Sequence, residues 1–284
     1  MTLDDLPPLR ETLAAHDLLA KKSFGQHFLL DLNVTRKIAR LAGPFDGDAV
    51  IEVGPGPGGL TRALLESDAS KVIVVEKDRR FIPLLEELRA ASGGKLEIVE
   101  GDALEVNERA LLEDHAGGAR GHLVSNLPYN VGTPLLLKWL TGPWTPVSMT
   151  LMFQKEVADR VAARPGTSAY GRLGVIAQAV CEARVVMDLP ARAFTPPPKV
   201  ASAVVRLEPK AGRPPAELLK ALERVTAAAF GQRRKMLRSS LKSLGGEALC
   251  EAAGVDPNAR AETVDVAGFL RMAAAVAEPP QPMR

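Results

Sequence analysis

Cysteine is almost absent from this sequence: Cys181 and Cys250 stand far apart, each among apolar neighbours. Free, buried thiols fit that placement better than a disulfide, and neither residue has metal-ligand spacing, so no metal is expected. Long apolar runs are missing too, and the opening Met1-Thr2-Leu3-Asp4-Asp5 lacks the basic and apolar regions of a signal peptide. Both absences point to a cytoplasmic location and no membrane partner. Charge of neither sign is in excess. A formal net charge of +2 neither demands nor excludes a nucleic-acid partner, so the distribution of cations is more informative than their total. No internal repeat is visible. What remains is ordinary globular composition, 46% hydrophobic and 25% charged, in a chain of 284 residues. That is enough for one large core, with or without a small second domain.

Short β-branched runs alternate with amphipathic stretches, the pattern of a parallel sheet wrapped by helices. Strands are predicted at 49–53, 71–76, 96–100, 122–125 and 147–153, with further ones at 184–189 and 201–207. Helical spacing appears at 9–19, 60–66, 79–91, 107–114 and 133–140. The fold class is therefore α/β, a doubly wound, mostly parallel sheet. After the Pro/Gly/Lys-rich stretch 208–215 only helix-like segments follow, at 216–230, 234–244 and 261–277. A boundary near 210 thus separates a first domain, 1–210, from a small all-helical domain, 211–284. The Glu278-Pro279-Pro280-Gln281-Pro282 tail reads as loose.

The first strand runs into Gly54-Pro55-Gly56-Pro57-Gly58-Gly59, whose glycines satisfy the spacing G-x-G-x-x-G. Such a turn lets a ligand approach the main chain closely. Glu76 ends the second strand, where a carboxylate can accept two hydrogen bonds from a ribose diol. That pair suits a nicotinamide cofactor and S-adenosyl-L-methionine alike. The next strand ends add detail: Asp102 can hold an adenine amine, and Asn126-Leu127-Pro128-Tyr129 follows the fourth strand. Asn and Pro are also favoured in ordinary turns. Here, however, a side-chain amide, a stiff proline and an aromatic ring occupy one turn. The Asn126 carboxamide oxygen and an adjacent main-chain carbonyl can each accept one hydrogen of an exocyclic amine, turning its lone pair toward an electrophile. Tyr129 offers a stacking face. Ligands on such sheets bind at the carboxyl ends of the strands, so Gly54, Glu76, Asp102 and Asn126 are expected to converge on one crevice.

The chain resembles the ribosomal RNA adenine dimethyltransferases of the small subunit over nearly its whole length. The resemblance is carried by Phe24-Gly25-Gln26-His27-Phe28-Leu29, Ile51-Glu52-Val53-Gly54-Pro55-Gly56, Val75-Glu76-Lys77-Asp78 and Gly101-Asp102-Ala103-Leu104. Asn126-Leu127-Pro128-Tyr129-Asn130, Phe153-Gln154-Lys155-Glu156-Val157, Phe194-Thr195-Pro196-Pro197-Pro198-Lys199-Val200 and Phe230-Gly231-Gln232-Arg233-Arg234-Lys235 complete it. It implies a Rossmann-like class I methyltransferase fold and methyl transfer from S-adenosyl-L-methionine to N6 of two adjacent adenosines in the 3′-end hairpin of small-subunit rRNA. Gln26, His27, Leu29, Gly54, Gly56, Glu76, Asp102 and Asn126 would contact the cofactor. Asn126 and Leu127 would hold the amine, while Tyr129 and Phe194 would clamp the flipped base.

Arg233, Arg234, Lys235, Arg238 and Lys242 fall in one predicted helical segment with no acid until Glu247, and Lys21-Lys22 precede the Gln26 turn. A basic face of that kind binds a phosphate backbone with a salt-dependent affinity; Lys199 and Arg206 could add contacts. The implied partners are small-subunit rRNA and the immature small subunit, engaged by a monomer. Three other readings stand beside this one: a large-subunit rRNA adenine N6-methyltransferase of the drug-resistance type, an NAD-linked oxidoreductase, and a non-catalytic assembly factor. A second methyl transfer to one nitrogen needs room beside the first methyl, and Leu127, lacking a proline's fixed ring, leaves it. Leu127→Pro is then expected to accumulate monomethyladenosine, read by nucleoside analysis of the product; mainly dimethylated product would contradict this.

Overall fold

The computed structural model describes residues 2–16, 18 and 27–277. Two compact units emerge. The first comprises Met1–Lys138, Pro146–Ala158 and Val185–Glu208; the second comprises Trp139–Thr145, Asp159–Arg184 and Pro209–Arg284. The second unit thus draws in segments that lie before the linear boundary at 210. Packing explains why: the helix Arg172–Val180 lies directly on the helices Ala216–Gly231 and Val266–Ala277. The loose tail expected from Glu278 onward lies outside the described residues.

Seven strands form the sheet: β1 (Ala49–Val53), β2 (Lys71–Glu76), β3 (Leu96–Glu100), β4 (Gly121–Asn126), β5 (Met149–Gln154), β6 (Cys181–Leu189) and β7 (Ser202–Pro209), in the order β3-β2-β1-β4-β5-β7-β6. Strands β1 to β5 pair in parallel, and β7 runs antiparallel to β5. Every residue of β1 is buried, as a central parallel strand covered on both faces requires. The strand order reverses between β1 and β4, and their register stops at Ile51↔Leu123. Beyond that point the strands part. The Val53 amide donates instead to Ser125 Oγ at 2.8 Å, so the split is held at a fixed width and opens a crevice at the switch point.

The first unit carries α1 (Leu9–Ala15), α2 (Leu32–Ala42), α3 (Gly59–Leu65), α4 (Ile82–Ala91) and α5 (Glu108–Ala116). Side-chain caps start two of them: Asp31 accepts from the Asn33 amide, and Asn107 accepts from those of Arg109 and Ala110. Helices α6 (Gly132–Thr141) and α7 (Lys155–Val161) follow. In the second unit α8 (Arg172–Val180), α9 (Ala216–Gly231), α10 (Leu237–Ser240), α11 (Gly246–Ala252) and α12 (Val266–Ala277) build a helical assembly in which α8 packs on α9 and α12. The helix expected over 234–244 is not continuous. Met236 is extended and bridges Arg260, and the Leu237 amide donates to the Ala259 carbonyl, so a turn, the short α10 and a 3-10 turn at Lys242–Leu244 replace it. Among the described residues no helix is long and apolar enough to cross a membrane. Both cysteines are free and buried.

At the other end of the sheet from the crevice, His122 is buried between Ser148 and Asp48. Its Nδ1 lies 2.8 Å from Ser148 Oγ and its Nε2 3.3 Å from Asp48 Oδ2. The Phe45 ring meets the imidazole edge-on, and Arg120 pairs with Asp48 at 2.9 Å. Burial holds the His122 imidazole below its ordinary range despite Asp48. The unfolded chain therefore takes up this proton first as pH falls, and stability drops through the ordinary histidine range. The wild-type thermal midpoint is expected to fall between about pH 7.5 and 5.5 more steeply than that of His122→Asn; equal slopes in the two proteins would contradict this.

Candidate active site

A cavity of about 240 Å³ sits at the carboxyl ends of β1, β2 and β4. Of the residues singled out from the sequence, His27, Leu29, Gly54, Gly56, Glu76, Asn126, Leu127 and Tyr129 line it. Gln26 lies outside the described residues, as do Lys21 and Lys22. The glycines of the first loop serve different ends. Gly54 and Gly56 have φ of +64° and +54°, a region that strains any residue with a Cβ. Gly59 opens α3, and a Cβ there would come within 2.5 Å of the Leu29 carbonyl oxygen. That packing brings the Leu29 segment onto the loop.

Glu76 is 6% exposed. Its Oε2 accepts from the Gly56 amide at 3.0 Å and its Oε1 from the Asp78 amide at 2.7 Å. Burial pushes its carboxyl above the ordinary range, and the two amides pull against that. Across the cavity, β4 delivers Asn126, after which the chain turns at Pro128. Tyr129 is half-buried, with its hydroxyl 2.7 Å from Ser202 Oγ. The His27 ring stands 5.9 Å from the Tyr129 ring and is tied through Nδ1 to the Pro196 carbonyl at 2.7 Å. Phe28 pairs with Thr195 in a two-way backbone bridge.

Four sequence expectations are placed differently. Asp102 is not among the residues lining the cavity; Oδ2 takes the Lys77 ammonium at 2.7 Å and Oδ1 the Leu104 amide at 2.9 Å, and Lys77 holds its carboxyl below the ordinary range. Phe194 is 3% exposed and packed in the hydrophobic core, so its ring is not presented to the cavity. The basic cluster does not act as one helix face. Arg233 is a tether: its guanidinium donates to the Ser168 and Tyr170 carbonyls at 2.6 and 3.0 Å. Arg234, Lys235, Arg238 and Lys242 are exposed. Arg206 is spent internally as well, on the Leu41 and Ala42 carbonyls and on Glu208.

Glu52 is a cavity residue that no sequence motif singled out. It is 1% exposed on β1 and lines the cavity, and it accepts from Thr61 Oγ1 at 2.7 Å. Burial pushes its carboxyl up to about 8, and the neighbouring Glu76 adds to the effect. The available signal was an acid inside the apolar run Ala49-Val50-Ile51-Glu52-Val53. Among the described residues no cluster of His, Cys, Asp and Glu is placed to hold a metal ion.

A glycine loop with a buried acid beside it and an Asn-Leu-Pro-Tyr turn facing both is a combination that comparison with known proteins can place. The family model for ribosomal RNA adenine dimethylases matches residues 18–278. The chain belongs to that family. A relative from Phenylobacterium zucineum (strain HLK1), named ribosomal RNA small subunit methyltransferase A, is 71% identical over 273 residues, covering 96% of this chain and 94% of the relative. Among solved structures, a dimethyladenosine transferase from Plasmodium falciparum matches with a TM-score of 0.71 at 27% identity, over 87% of this chain and 96% of that one. The 23S rRNA methyltransferase ErmE matches with 0.68 at 26% identity, over 88% of this chain and all (100%) of that one.

Glu52 also yields a stability test. A carboxyl raised from 4.5 to about 8 keeps in the native state a proton that the unfolded chain has released, so its contribution is lost as pH rises across that window. Glu52→Gln is expected to gain stability over wild type at about pH 8 relative to about pH 5, measured as urea midpoints. The same difference at both pH values would contradict this.

Proposed function

We propose that this protein transfers methyl groups from S-adenosyl-L-methionine to N6 of two adjacent adenosines in the 3′-end hairpin of small-subunit rRNA. We further propose that it acts as a cytoplasmic monomer on the immature small subunit. The observation that carries the reading is that the Gly54–Gly59 loop, the buried Glu76 carboxylate and the Asn126 turn line a single cavity. An oxidoreductase would use the loop and Glu76 but leaves the turn without a purpose. Fold likeness does not decide against a 23S rRNA substrate, because the 23S rRNA methyltransferase ErmE matches almost as well as the dimethyladenosine transferase. Identity of 71% to a relative named for the small subunit, across nearly its full length, favours the former.

The lining suits the cofactor. Glycines leave main-chain groups bare at the cavity, and Glu76 presents a buried acceptor suited to a ribose diol. His27, Leu29, Gly54, Gly56 and Glu76 would hold it, and when bound it supplies a methyl group on a sulfonium, already a strong electrophile. The residues of this chain then have to position and desolvate a nucleophile. The Asn126 carboxamide oxygen and the Leu127 carbonyl accept the two amine hydrogens of adenine, and so aim the nitrogen lone pair. Tyr129 supplies the stacking face, a contact of about 1 to 3 kcal/mol per base at comparable sites. Asp102, just after β3, would accept from the cofactor's adenine amine, whereas Phe194, inside the core, is given no contact with the base. Exposed Arg234, Lys235 and Arg238 neutralise RNA phosphates and make affinity fall with salt.

Unmethylated small-subunit particles incubated with labelled S-adenosyl-L-methionine are expected to yield labelled N6,N6-dimethyladenosine on nucleoside analysis. Label absent from rRNA would overturn the proposal. Asn126→Ala is expected to lower the transfer rate by roughly 10²- to 10³-fold, the usual effect of removing one preorganised polar group, while particle binding persists. A purely structural assembly factor would instead bind the particles without transferring label, in the wild type and in Asn126→Ala alike.

A further inference from the structure

We infer that Ser202 is a positioning residue for this reaction: its buried hydroxyl fixes the Tyr129 ring in the orientation on which the target adenine stacks. The inference rests on the proposed adenine-methylating function and deepens it. Ser202 is 0% exposed and opens β7, where its register against Gln154 of β5 fixes the backbone. A hydroxyl buried in such a place must find a partner. Its partner is the Tyr129 hydroxyl, 2.7 Å away.

That bond spans from an antiparallel strand of the sheet to the turn that follows β4, and Tyr129 is the one aromatic ring of that turn lining the cavity. Burial raises the Tyr129 phenol above its ordinary range, so it stays protonated at neutral pH and is no proton acceptor for the amine. Its hydroxyl is then free to act as an anchor. The same stretch of chain pins the neighbouring ring, because the Pro196 carbonyl accepts from His27 Nδ1, and the His27 ring lies tilted 5.9 Å from Tyr129. A ring held at its far end loses less freedom when a base stacks on it, and preorganisation of that kind appears in kcat/KM for the RNA rather than in affinity for the cofactor.

Ser202→Ala, Tyr129→Phe and the double variant test this against wild type on unmethylated small-subunit particles. Wild-type turnover on those particles examines the functional reading separately. Each single change is expected to lower kcat/KM for the particles by roughly 3- to 10-fold, with cofactor affinity unchanged, and the double variant is expected to be no worse than either single one. An RNA hairpin carrying 2-aminopurine at the target position is expected to be quenched by the wild type and to stay brighter with Ser202→Ala. Wild-type kcat/KM and quenching in Ser202→Ala, even with a lowered thermal midpoint, would overturn the inference, as would effects of the two single changes that simply add.

Discussion

The Glu76 carboxylate takes a main-chain N–H on each oxygen, from Gly56 on one side and Asp78 on the other, and it does so almost out of contact with water. A buried carboxyl is tolerable only when its lone pairs are occupied. Those two bonds therefore fix the glycine loop after β1 to the loop after β2. Neighbouring main-chain bonds extend the frame, from the Gly54 amide to the Val75 carbonyl and from the Gly101 amide to the Glu76 carbonyl. A carboxylate offers about four acceptor positions, so the group that holds the frame keeps capacity for a ligand.

The crevice itself comes from topology. Strand order reverses at β1 and β4, the two strands diverge after Ile51 and Leu123, and Ser125 spans the gap. The glycine loop and Glu76 reach the cavity from β1 and β2, and the Asn126 turn reaches it from β4. Gly59 lets the Leu29 segment lie on the loop at a distance no side chain would permit. The second unit carries its exposed cations on a turn, the short α10 and a 3-10 turn rather than on one continuous helix face.

Strands β1, β2 and β3 were legible to the residue, because buried parallel strands leave β-branched runs bounded by turn residues. Helix α8 was not: Arg172–Val180 passes straight into β6 at Cys181 within one apolar run, and no breaker marks the change. The candidate site was legible in residue type and strand-end position, which is why the loop, Glu76 and the Asn126 turn meet. Side-chain direction was not. Asp102 faces Lys77, Phe194 joins the core and Arg233 reaches back to Ser168 and Tyr170, each through a partner distant in sequence. The raised Glu52 carboxyl escaped for the same reason, since burial belongs to the whole sheet rather than to a motif.

The central claim is that Asn126 and the Leu127 carbonyl grip an adenine amine beside a cofactor held by the glycine loop and Glu76. A crystal structure of the protein with S-adenosylhomocysteine and adenosine tests it most directly. The account expects the adenine N6 at hydrogen-bond distance, about 2.7 to 3.2 Å, from both Asn126 Oδ1 and Leu127 O, with the ring against Tyr129. An adenine bound with its amine toward solvent, or a carboxamide turned away from it, would contradict the account.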